Sequence, residues 1–252
     1  MSTAGVADQT VVVVGAASGI GRATAELLGE RGARVACLDQ DAAGVAETAS
    51  SVVAAGGHAL SGRIDVTQPD TIAPAFQAVT ERWGQLHGLV NCAGITGLTN
   101  LRSHEVPLND FDRVVRVNLY GSFLLSQAVL PLMLPHRYGR VLHVASIAGK
   151  EGNAGMVSYS ASKAGIIGMV KAQGKEYATT GITVNALAPA VIRTPLVDRM
   201  PPEQVEYMTS RIPMQRCGTL AEAAELISWI MSPVASYITG FTFDLSGGRA
   251  TY

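Results

Sequence analysis

The sequence predicts an α/β fold: a doubly wound parallel sheet with helices on both faces, closed as a single domain over residues 1–252. Three observations predict it. Short β-branched runs alternate with helix-length segments along the chain, the rhythm of successive βαβ units. Those runs are almost continuously apolar, as strands covered on both faces are. The 252 residues, 48% hydrophobic and 15% charged, are too apolar for a disordered chain and suffice for one large core.

The elements follow in order. Strands are read in TVVVVG (10–15), RVACLD (34–39), GLVNCAG (88–94), GRVLHVAS (139–146) and ITVNALAP (182–189), and ITGFTFDLSGG (238–248) supplies a last edge strand with a glycine-rich exit. Helices are read from Ser18 to Glu30, Ala42 to Ala55, Pro69 to Trp83, Leu108 to Met133, Ser158 to Thr179 and Leu220 to Met231. Gly32, Gly56, Gly84 and Gly181 follow four of them, the usual stop signal. Residues 195–218, with four prolines and a mixture of charge, Met and Tyr, predict an irregular lid or substrate loop, since long insertions in compact domains are seldom idle.

Composition narrows the partners. A net charge of −1, a pI near 6.5 and no basic run give neither nucleic acid nor an anionic membrane an electrostatic counterpart. No leader-like N-terminus and no run of about eighteen uninterrupted apolar residues is present, so a soluble, cytoplasmic protein is expected. Cys37, Cys92 and Cys217 lack metal-like spacing and read as reduced packing residues, His143 as a core histidine, and no metal set emerges.

The first strand runs into GAASGIGRA, where Gly15, Gly19 and Gly21 open a helix. Glycines there allow a tight turn and close approach of a pyrophosphate to the positive helix end. That strand–loop–helix context makes the sheet Rossmann-type. Ser18 and Ile20 belong to the same loop. Asp39 ends the second strand about twenty residues on, placed to accept hydrogen bonds from the adenosine ribose hydroxyls and to repel a 2′-phosphate. Ser18 and Gln40 bring no cation, so NAD is expected and NADP is less favoured. Asp65 and Val66 follow the third strand, beside the adenine, although an acid at a helix start has a purely structural use as well.

Tyr159 and Lys163 stand four residues apart on one helix face. A neighbouring ammonium favours a phenolate and lowers its pKa, which suits proton exchange with an alcohol. Ser146 ends its strand thirteen residues earlier, with a hydroxyl for the same substrate oxygen.

These residues, with GAASGIG (15–21), NCAG (91–94), Asn118 in VNLYGS, YSASK (159–163), Asn185 in ITVNALAP and PAVIRTP (189–195), resemble the short-chain dehydrogenase/reductase family along essentially the whole chain. The resemblance implies a tetrad of Asn118, Ser146, Tyr159 and Lys163. Tyr159 would be the acid/base and Ser146 would steady the substrate oxygen. Lys163 would lower the tyrosine pKa and hold the nicotinamide ribose, and Asn118 would anchor a relay water. It further implies Asn91, Ala93 and Gly94 on the adenosine side and Pro189, Ile192 and Thr194 at the nicotinamide. Val14, Cys92 and Ala190 depart from the family pattern without removing a catalytic group.

Lys150, Glu151, Asn153 and Arg193 fall where the family's loops meet substrate, so a polar, anionic substrate is expected, although solvated loop charges fit the same residues. Within the family the chain is similar to sugar-acid dehydrogenases of the 2-keto-3-deoxy type and to 3-oxoacyl-carrier-protein reductases. The expected activity is NAD-dependent interconversion of a secondary alcohol and a ketone on such a sugar acid. The acyl-carrier reductase remains the alternative, and a non-catalytic dinucleotide sensor the alternative of another class. A homotetramer is implied too, packed through the helices carrying Asn118 and Tyr159, with GGRATY at the C-terminus within reach of a neighbouring site.

Overall fold

The computed structural model describes residues 5–250 and 252. The elements run β1 (Thr10–Val14), α1 (Gly19–Glu30), β2 (Arg34–Asp39), α2 (Ala42–Ala54), β3 (His58–Arg63), α3 (Pro69–Trp83), β4 (Gly88–Asn91) and α4 (Leu108–Val115). A π-helical turn (Arg116–Tyr120) leads into α5 (Gly121–Met133), β5 (Gly139–Val144), α6 (Ala148–Glu151), α7 (Val157–Glu176) and β6 (Ile182–Pro189). Then come α8 (Pro195–Asp198), α9 (Pro202–Thr209), α10 (Leu220–Met231) and β7 (Thr242–Leu245).

Among the described residues the strands form one seven-stranded sheet in the order β3-β2-β1-β4-β5-β6-β7, parallel throughout. Alternation within β1 shows how both faces are filled. Val12 and Val14 point into a core built with Phe76 of α3, Leu125 and Val129 of α5 and Ile166 of α7. Val11 and Val13 point the other way, against Leu28 of α1, Val45 of α2 and Ile227 of α10. Every residue of β1, β4 and β6 is buried, which explains their unbroken apolar sequence. β3, at an edge, is partly exposed and reads HALSGR; it is the strand least visible in composition.

Two departures from the sequence expectations matter for the site. The helix expected over 108–133 is interrupted by the π turn at 116–120, which carries Asn118; such turns add a residue to the helix and recur at functional sites. The lid is not irregular, because proline starts two short helices within it, at Pro195 and Pro202, where a missing N–H costs nothing. The helical backbone from Leu108 to His136 is long and apolar enough to cross a membrane by length and composition, an 18-residue stretch of it reaching a mean hydropathy of 1.4. Polar residues such as Asn118, Ser122, Ser126 and Gln127 interrupt it, so it holds no run of about eighteen uninterrupted apolar residues. In the fold this helix lies on the sheet, with Leu125, Val129 and Met133 buried there.

Candidate active site

The strand order reverses between β1 and β4, where helices leave toward opposite faces and a crevice opens beyond the strand ends. A cleft of about 650 Å³ occupies this place, lined by Gly15, Ser18, Gly19, Ile20 and Gly21, by Asp39 and Gln40, by Asp65, Val66 and Thr67, and by Ala93, Gly94 and Thr194. Its floor fits a dinucleotide on geometric grounds. A Cβ on Gly21 would sit 2.0 Å from the Gly15 carbonyl oxygen, so the turn closes only with glycine there. Gly19, at φ +56°, has nothing within 4 Å on its open side, leaving the start of α1 bare toward the cleft, as anion binding at a helix N-terminus requires. Asp39 accepts from the Ala17 and Asp41 amides, which fixes its carboxylate between the glycine loop and β2. Asp65 is held similarly, accepting from the Thr67 amide and hydroxyl.

Of the other expected cofactor residues, Asn91, Pro189 and Ile192 do not line the cleft. Asn91 is buried; its Oδ1 accepts from the Ala93 amide and its Nδ2 donates to Ser122 Oγ, so it shapes the wall from behind. Ile192 is buried in a bridge with Gly218, and Pro189 is the buried end of β6. Gln40, Thr67, Arg113 and Arg116 line the cleft without having been selected as contacts from the sequence. The two arginines recur at i and i+3 along one helix, a spacing that identifies a shared face but not what that face looks onto.

Beyond the cleft, β5 delivers Ser146, α7 delivers Tyr159 and Lys163, and the π turn delivers Asn118. Ser146 Oγ accepts from the Ala148 amide at 3.1 Å. Lys163 is 4% exposed; its Nζ donates to the Val144 carbonyl at 2.7 Å and lies 5.6 Å from the Tyr159 ring centroid. Among the described residues it has no carboxylate partner, and burial pulls its pKa down to about 8. The Tyr159 side chain is half-buried. Burial raises the phenol above its ordinary value, while the Ser146 hydroxyl acts the opposite way. In the chain alone desolvation outweighs that hydrogen bond.

Asn118 is fully buried, with Oδ1 accepting from the Ile95 amide and Nδ2 donating to the Ile95 carbonyl and to Ser162 Oγ. Its amide thus ties the loop after β4 to α7. Ser162, one of the small residues between Tyr159 and Lys163, completes the tie by donating to the Tyr159 carbonyl; sequence reading passed over it because it carries no charge. Behind these groups lies His143, whose Nδ1 accepts from Asn91 and whose Nε2 donates to Ser126 Oγ, a tautomer set by Ser126 donating onward to Gln173. Burial holds the imidazole neutral, with its pKa pulled down to about 3. Cys92, on the cleft wall, is likewise a neutral thiol, pushed up to about 12 by burial.

The charged residues expected at the substrate have other partners. Lys150 pairs with Asp244, Glu151 with Arg249, and Arg193 with Asp198. Asn153 Oδ1 accepts from Arg249. Their charges are matched within the fold, with Lys150 and Arg249 largely enclosed and the Arg193–Asp198 pair exposed, as the solvated-loop alternative has it.

A family model described as enoyl-(acyl carrier protein) reductase matches residues 15–250. A relative named 2-dehydro-3-deoxy-L-rhamnonate dehydrogenase (NAD(+)), from Sphingomonas sp. (strain SKA58), is 40% identical over 246 residues, covering 98% of this chain and 97% of the relative. The 3-oxoacyl-(acyl-carrier-protein) reductase FabG of Thermotoga maritima is 40% identical over 243 residues, covering 94% and 96%. Among solved structures, levodione reductase superposes with a TM-score of 0.93 at 32% identity, over 98% of this chain and 99% of that one.

Proposed function

Because this chain belongs to the short-chain dehydrogenase/reductase family, we propose that it is an NAD-dependent oxidoreductase converting a secondary alcohol of a 2-keto-3-deoxy sugar acid to the ketone. The observation that carries the cofactor preference is Asp39, fixed by two amides at the cleft where a ribose would lie. A 2′-phosphate would meet this carboxylate without a compensating cation from Ser18 or Gln40. The sugar-acid substrate rests on the Sphingomonas relative, whose name carries both that substrate and NAD(+).

Residues of the glycine loop, Asp39, Asp65 and Thr194 would hold the dinucleotide, and Lys163 the nicotinamide ribose. Bound NAD supplies a hydride acceptor, which no side chain can. Tyr159 takes the hydroxyl proton of the substrate, and Ser146 holds the same oxygen, so that the carbinol carbon is presented in one orientation. Lys163, with no carboxylate partner among the described residues, stabilises the phenolate as it forms. With its amide engaged, Asn118 serves the proton relay through its main-chain carbonyl, which already accepts from Ser122 Oγ. The lid over 195–218 covers the substrate side. Exposed Tyr120 and Phe123 beside the Asn118 turn, and Trp229 and Phe241 near the free edge of β7, support assembly as a homotetramer. The family's chemistry on soluble metabolites supports reading it as a cytoplasmic enzyme.

The similarity to FabG supports a second activity, reduction of 3-oxoacyl thioesters. A screen of NAD and NADP against 2-keto-3-deoxy sugar acids, plain secondary alcohols and 3-hydroxyacyl thioesters separates the two. Sugar acids with NAD should give the highest kcat/KM; faster reduction of 3-oxoacyl thioesters with NADPH would overturn the assignment. Tyr159→Phe should lower turnover by roughly 10²-fold to 10⁴-fold, the usual worth of a positioned acid/base, while keeping NAD affinity. A sensor would keep its whole function in that variant.

A further inference from the structure

After β7 the chain turns back across α6, the short helix that follows Ser146. Asp244, in β7, receives two hydrogen bonds from Lys150 Nζ, both at 2.9 Å, and the Lys150 side chain is 8% exposed. Arg249 donates through Nε and Nη2 to Glu151 Oε2 at 3.0 and 2.9 Å and through Nη2 to Asn153 Oδ1 at 3.2 Å, and its side chain is 11% exposed. Tyr252 donates its hydroxyl to the Lys150 carbonyl, with the Lys150 ammonium 5.1 Å from its ring centre. Ion pairs this enclosed escape much of the screening that makes surface pairs nearly worthless.

The segment they grip touches one proposed reacting side chain, Ser146, and the chain neighbour of the other, Ser160. At its start, the Ala148 amide donates to Ser146 Oγ. At its end, the Asn153 amide donates to Ser160 Oγ, in the residue after Tyr159. The same tail meets the lid, where the Met214 amide donates to the Gly247 carbonyl at 3.1 Å. None of Lys150, Glu151, Asn153, Asp244 and Arg249 lines the dinucleotide cleft.

We propose that the C-terminal segment is a clasp that positions the substrate side of the site, with Arg249 as its principal positioning residue, acting through Glu151 and Asn153 on Ser146 and Tyr159. The clasp forms within one chain. It also explains why Lys150 and Glu151 are charged: they are handles for the tail. The proposal rests on Ser146 and Tyr159 being the reacting groups.

The test uses full-length Arg249→Met, which keeps an apolar stem, and the charge-swapped Glu151→Arg/Arg249→Glu. Hydrogen exchange over 147–153, NAD titration and steady-state oxidation of the best alcohol from the screen are measured on each. Arg249→Met should exchange faster over 147–153 and lose roughly 10-fold to 100-fold in kcat/KM for the alcohol, the scale of a misplaced reacting group, with NAD affinity within twofold of wild type. The swap should recover most of both losses. Unchanged exchange and kcat/KM in Arg249→Met would overturn the clasp, as would a loss of NAD affinity equal to the loss of turnover, or a swap that recovers nothing. If the wild-type enzyme oxidises none of the alcohols, the proposed function fails, and the exchange measurement still decides whether the tail holds the segment.

Discussion

His143 makes folding stability depend on pH in a way that can be worked from the structure. The imidazole is fully buried, accepts from Asn91 and donates to Ser126, so a second proton has no acceptor and its pKa is pulled down to about 3 from 6.5. The folded pKa lies below the unfolded one. Between them the unfolded chain binds a proton that the native protein refuses, and stability falls as pH falls. Between pH 7 and pH 5 the cost is about 2 kcal/mol, at ~1.36 kcal/mol per pH unit below 6.5. That window lies above the ordinary carboxylate range. His87, whose pKa is also lowered by burial, adds a smaller loss of the same sign. Urea unfolding of wild type and His143→Asn at pH 7, 6 and 5, at one protein concentration, isolates the effect. The variant should be weaker at pH 7, because Asn91 and Ser126 each lose a partner, yet it should lose about 2 kcal/mol less than wild type on going to pH 5. Equal losses in the two proteins would refute the assignment of a neutral, proton-refusing His143.

Lys163 predicts a trade between stability and activity. Its folded pKa of about 8, against 10.5 unfolded, means that the native state carries the cost of a buried charge at neutral pH. That cost lessens as pH rises from 8 toward 10.5, where the native protein sheds its proton first. Lys163→Met should therefore unfold at higher urea at pH 7, by up to about 3 kcal/mol, while losing turnover; lower stability in the variant would show that the Val144 hydrogen bond outweighs burial. Asp39→Ala should weaken NAD binding about 10-fold to 100-fold, the worth of hydrogen bonds to a charged group, and should narrow the preference over NADP. An unchanged NAD-to-NADP ratio in fluorescence titrations would remove Asp39 from cofactor selection.

Much of this fold was legible because it rests on local signals. The unbroken apolar strands, the glycine loop directly after the first of them and Asp39 at the end of the second are each set within a few residues, and they converge on the cleft at the strand-order reversal. β3 was nearly invisible for the complementary reason: as an edge strand it has less surface to bury, so HALSGR carries little apolar signal. The π turn was hidden because one extra residue in a helix leaves hydrophobic periodicity almost intact, and its evidence lies in where Asn118 ends up.

Site residues divide in the same way. Tyr159 and Lys163 are bound to one face by helix geometry, so their proximity follows from spacing, whereas the resulting pKa values depend on burial, which spacing does not encode. Asn91 was expected at the cofactor and stands behind the wall because its amide partners, Ala93 and Ser122, come from a loop and from a helix 31 residues on. The loop charges are the sharpest case. Lys150 and Glu151 look available in sequence, and their partners Asp244 and Arg249 lie 94 and 98 residues away, joined only once β5, β6 and β7 are laid side by side. A charge beside a candidate catalytic serine is therefore weak evidence for an anionic substrate until the sheet has brought in its other neighbours. In this protein the anion that meets Lys150 is the chain's own last strand.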